Sequence, residues 1–148
     1  MIARAEHLAG RCLLAILFAA GALQKALDPA PAQDLLIDAG LPAALAAWLV
    51  WPAMAFNAGA AVMLVANIRL RPLARALALY CLATSYLHFI PSDPWQMSIL
   101  VKNWAIAGGC LILSAGEAGR RPTSSLRERR APLGGLHRAA RRPPNDPR

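Results

Sequence analysis

Acidic side chains are scarce: eight Asp and Glu stand against sixteen Lys and Arg in 148 residues, and none of the eight falls inside a long apolar run. Any cation placed in such a run therefore has no carboxylate partner on its own segment. Cysteine is also sparse. Cys12, Cys81 and Cys110 form no CxxC and no paired spacing, which excludes a dithiol motif or a disulfide framework and leaves small buried hydrophobes. His7 and His137 lie in terminal regions, so His88 lacks a second histidine for a bis-histidyl haem. The chain has no Gly-rich phosphate loop, Ser/His/Asp set or metal-spaced cluster. It is expected to hold no catalytic residue, metal or cofactor of its own.

Apolar length is what the sequence does have. Hydrophobic residues make up 57% and charged residues 16%, far from a soluble balance. Four segments approach the roughly 17–25 apolar residues of a membrane helix: about Leu8–Leu27, Pro42–Asn67, Leu73–Ile90 and Ser98–Ala115. None alternates as a half-buried strand does, and helices satisfy their own backbone groups in lipid. The expected fold is all-α: a four-transmembrane-helix bundle with a short outer interfacial helix and a disordered C-terminal tail. The membrane domain covers 1–116. An Arg/Pro-rich cytoplasmic tail covers 117–148, with nine arginines, five prolines and no aromatic residue. The first segment also carries features of a secretory signal, with a basic start, the apolar core LLAILFAAGAL and a small-residue APA after it.

Charge bias sets the expected orientation. Arg4 and Arg11 lie at the N-terminal end, Arg69, Arg71 and Arg75 fill the second connection, and the tail is basic. The first and third connections hold only aspartates. The positive-inside rule places both termini and the middle connection in the cytoplasm of a multi-pass cell-membrane protein. The net charge of +8 thus reflects topology and tail, and nucleic acid is not an expected partner. Pro31 can open a short helix that Gly40 closes, carrying Leu35, Leu36 and Ile37 along the outer face. Pro52 should kink the second span. Trp48, Trp51 and Trp95 suggest an outer aromatic belt.

Polar residues inside the apolar runs are the most informative. Lys25 and Lys102 are the chain's two lysines. Both lie toward the outer ends of their spans, as does His88, and Asn103 follows Lys102. A lysine at the bilayer centre costs about 2.5–3.5 kcal/mol on insertion scales. Either each side chain snorkels to the headgroups, or Lys25, His88 and Lys102 share a basic pocket with Asn103 beside them. Arg11, Phe18 and Lys25 are seven apart and share one helix face. Arg11 is either an inner anchor or part of a site, and Asn57 is the one strongly polar side chain deep in the second span. Small residues four apart, such as Ala55/Gly59 and Ala105/Gly109, allow close helix approach.

In GRCLLAILFAAGALQKALDP, AGLP, GAAVMLVANIRLRPLARALAL, LHF and LVKNWAIAGGCLIL, the chain resembles the DoxX family of small four-helix membrane proteins over roughly residues 8–115. The resemblance implies roles for Arg11, Phe18, Gly21, Lys25, His88, Lys102, Asn103, Gly108 and Gly109. Gly21, Gly59, Gly108 and Gly109 are the expected helix-packing glycines. Relatives often carry a glutamate where this chain has Ala55, Phe56 and Asn57, and its absence weighs against a proton-coupled or charge-paired mechanism. Some relatives are membrane subunits of quinone-linked oxidoreductases acting on reduced sulfur compounds, or associate with thiol and oxidative-stress enzymes. The resemblance therefore implies an accessory subunit of a membrane redox complex, with a basic outer-leaflet pocket for a quinone head group or a small anion, and with partner subunits or a second copy beside it. A small anion carrier or permeation subunit, and a structural or assembly factor without its own ligand, remain the alternatives.

Overall fold

The computed structural model describes residues 2–119, with side chains from 4 to 116. Five α-helices follow in order: α1 Ile2–Leu27, α2 Ala30–Asp38, α3 Ala43–Val65, α4 Leu70–Ser85 and α5 Pro94–Gly119, with a 3-10 turn Tyr86–His88 after α4. No strand occurs among the described residues. The expected tail, 117–148, lies outside the described residues except for its first three, which continue α5 as helix.

Three helices are long and apolar enough to cross a membrane, in the stretches Arg4–Leu27, Ala43–Val65 and Pro94–Gly116. The third expected span is shorter than anticipated. Its regular helix stops at Ser85, and Tyr86–His88 tightens into a 3-10 turn, so α4 alone is about 24 Å long at 1.5 Å per residue. α3 runs on through Pro52 as one continuous helix. α2 forms where expected, with proline in its first turn and Gly40 at φ 93° beyond its end, a conformation that costs glycine little.

Apolar side chains cover the outside. Leu13, Ile16, Leu23, Val62, Leu79 and Ile112 are all exposed, an outward-facing pattern that suits lipid as the surrounding solvent. Inside, α1 packs along α3 and α4 along α5, and far fewer residues join the two pairs. Ala15 and Phe18 of α1, Ala60, Ala61 and Leu64 of α3, Leu73, Leu77 and Cys81 of α4, and Cys110 of α5 form one core. That core fills the half of the bundle nearest Arg11. Cys12, Cys81 and Cys110 are free thiols, the last two buried.

Arg11 closes that end. It is 8% exposed and reaches across to the last turn of α3. Its Nε donates to Leu64 O at 3.0 Å, Nη2 to Val65 O at 2.9 Å and Nη1 to Asn67 Oδ1 at 2.6 Å. A helix end leaves its final carbonyls without intrahelical partners and carries partial negative charge. One planar guanidinium answers both needs. Asn67 sits at φ 61°, a left-handed conformation that asparagine tolerates better than most residues, and this presents its side chain to Arg11.

Candidate functional site

At the opposite end the helices part. A cavity of about 800 Å³ lies between α1, α3, α4 and α5, with α2 along one side. Its size is that of a small-molecule pocket. Apolar walls come from Leu17, Leu49, Val50, Ile99 and Ile106, and α2 adds Leu35 and Leu36. The short helix read from Pro31 and Gly40 is therefore part of the wall.

Lys25, His88, Lys102 and Asn103 all line this cavity. The end of α1, the 3-10 turn and α5 bring them together. Arg11, Ala15, Phe18 and Ala22 bury one stripe of α1, and Lys25 continues the same face outward. Its Nζ donates to Gly21 O of its own helix at 3.1 Å, and the side chain is half-buried. Lys102 is exposed on α5, and Asn103 beside it is half-buried. His88 Nδ1 lies 2.7 Å from Gln96 Oε1, which joins the 3-10 turn to the start of α5.

The two nearest carboxylates serve the turns. Asp93 Oδ1 accepts from the backbone N–H groups of Trp95 at 2.9 Å and Gln96 at 3.3 Å, the bonds of a helix N-cap. Asp28 Oδ1 accepts from Ala30 N at 3.2 Å. Asp28 still lines the cavity, alongside Gln24 and Gln96.

The deep end holds what spacing along one chain does not reveal. Asn57 of α3 and Tyr80 of α4 both line the cavity, and the Asn57 amide lies beside the Tyr80 hydroxyl. Phe56 stacks at a tilt on the Tyr80 ring, centroids 5.1 Å apart. Asn57 is 4% exposed, yet its Oδ1 has no hydrogen-bond partner among the described residues. Leaving a buried acceptor unmet costs about 1–3 kcal/mol. The sequence marks Asn57 as a lone polar residue but gives no sign of Tyr80, which looks like an ordinary aromatic in an apolar run.

The glycines divide. A Cβ on Gly21 would lie 3.2 Å from Asn57 Nδ2, so the missing side chain makes room for that amide. At Gly59, Gly108 and Gly109 an added Cβ meets nothing within 4 Å. Gly59 and Gly109 are exposed and Gly108 is half-buried, so no close approach is made at them among the described residues. Gly21 alone of the four is tight.

Comparison with known proteins gives one match. The DoxX family model matches residues 7–90, from α1 to just past the 3-10 turn. α5, with Lys102 and Asn103, lies beyond the matched stretch. No curated protein and no solved structure matches the chain.

Proposed function

Because the chain belongs to the DoxX family, we propose that it is the membrane-embedded, ligand-binding subunit of a redox complex, its cavity receiving the head group of a quinone-type ligand. The observation that carries this reading is that one cavity of about 800 Å³ gathers Lys25, His88 and the Lys102–Asn103 pair from three elements between apolar walls. A quinone head is a flat apolar ring with polar edges, and such a lining suits it. The partner enzyme would supply the chemistry. The packed core at the Arg11 end favours a closed pocket over a permeation path.

Four spans suit this reading. Ser114 Oγ donates to Arg71 O at 3.3 Å at one end of the α4–α5 pair, and His88 meets Gln96 at the other. α4 with its turn therefore matches α5 over about 27 Å, from Gln96 to Ser114 at 1.5 Å per residue. That is close to the ~30 Å hydrocarbon thickness. α2 and the exposed Trp48, Trp51 and Trp95 then lie at the outer interface, with both termini and the Arg69–Arg75 connection in the cytoplasm of a multi-pass cell-membrane protein. Single cysteines placed at Ser92 and Ser124 in a cysteine-free background test this. A membrane-impermeant maleimide added to intact cells should label position 92 and spare 124. Labelling at 124 reverses the orientation.

The ligand itself is tested by titration. The detergent-purified protein should bind a short-chain benzoquinone or its hydroquinone with one site per chain, measured by calorimetry. Absence of binding by both removes the reading, and leaves a structural or assembly role.

A further inference from the structure

The floor of the cavity carries a hydrogen-bond acceptor that the fold leaves unused. Asn57 is buried to 4% exposure, lines the cavity, and its Oδ1 meets no donor among the described residues. Gly21 keeps the space the amide occupies, since a methyl there would press on Asn57 Nδ2 at 3.2 Å. Tyr80 stands beside the amide, its ring held against Phe56. A buried acceptor without a donor favours any ligand that brings one.

Resting on the proposed cavity reading, we infer that the deep subsite at Asn57 and Tyr80 receives a hydroxyl group, so the site selects the hydroquinone form of its ligand over the quinone. The two forms share ring size and apolar area and differ at the oxygens. A hydroquinone O–H donates to Asn57 Oδ1 and still accepts through its oxygen. A quinone carbonyl only accepts, so it places an acceptor against an acceptor and leaves Oδ1 unmet. Sites built around a hydrogen bond to a hydroxyl discriminate against analogues that lack it, because the buried partner is then left unpaired. The lysines at the mouth do not contribute to this discrimination, since they donate to either form.

The test uses the full chain in detergent and three ligands: a short-chain hydroquinone under anaerobic reducing conditions, the matching quinone, and the hydroquinone dimethyl ether. The ether keeps the ring and removes both donors without any change of redox state. Hydroquinone is expected to bind at least ~10-fold more tightly than either, the scale of one well-placed hydrogen bond. In Asn57→Leu, which replaces the amide with an apolar group of similar size, that preference should disappear. If Asn57→Leu does not purify as a folded helical protein, the wild-type comparison of hydroquinone with its ether decides. Equal or tighter binding of quinone or ether overturns the inference and leaves the cavity reading intact, as does a preference that survives in a folded Asn57→Leu. No binding of any of the three overturns both.

Discussion

Arg11→Ala is expected to destabilise the protein by about 1–3 kcal/mol, the cost of leaving a buried hydrogen-bond acceptor without its donor. The guanidinium meets Leu64 O, Val65 O and Asn67 Oδ1 at once. Alanine leaves all three acceptors without this donor; Leu64 is buried, whereas Val65 and Asn67 are exposed and water replaces part of what they lose. It also removes the positive charge facing the carboxyl end of α3. Arg11→Lys should recover only part of the loss, because one ammonium cannot reproduce a planar fork spread over three acceptors. Thermal unfolding in mild detergent, followed by helical circular dichroism, reads the effect. An unchanged midpoint for Arg11→Ala would reduce Arg11 to a charge marking one side of the membrane.

Lys102→Met should insert and purify as the parent does, yet bind ligand about 10- to 100-fold more weakly, the span of one charge-assisted hydrogen bond. Methionine keeps the length and apolarity of the lysine stem, so insertion is spared. Lys102→Arg should also bind poorly, since a wide guanidinium does not occupy the place of a compact ammonium. Lys25→Met should act in the same direction, and the double variant should fall below either single one. Snorkelling alone makes the opposite forecast: Lys102→Met would insert as well or better and bind unchanged. Calorimetric titration of the purified variants separates the two, and full affinity in Lys102→Met would take Lys102 out of the site.

Much of this was legible before any coordinates. Membrane helices declare themselves by apolar length, and α1, α3 and α5 lie where the runs place them. Lys25, His88 and Lys102 stood out because a charged or titratable group is conspicuous in an apolar segment, and depth along each helix follows from counting residues. Other features depend on contacts between distant positions. Arg11 looks like an inside anchor in sequence, and only the approach of α3, 53 residues on, turns it into a helix cap. Tyr80 gains meaning from Asn57, on another helix. Spacing also places Gly21, Gly59, Gly108 and Gly109 on helix faces, but that Gly21 is the one pressed close to a neighbouring side chain is a property of the assembled bundle. The α4 boundary was overestimated because an apolar run does not reveal where an α-helix tightens into a 3-10 turn.

The pairing of α1 with α3 and of α4 with α5 has a mechanical consequence. Each pair is a stiff arm, and the arms are joined firmly at the Arg11 end by the buried core and more loosely above it, where α2 reaches the 3-10 turn. The bundle is thus built like a pair of tongs with its pivot at the Arg11 end. A small change in the angle between the arms widens or narrows the space between their tips without breaking a backbone hydrogen bond in any helix. Arg11 ties α1 to α3 within one arm, so it keeps that arm rigid while the tips move. A neighbouring subunit that pressed on the outer end of either arm would set how far the jaws stand apart.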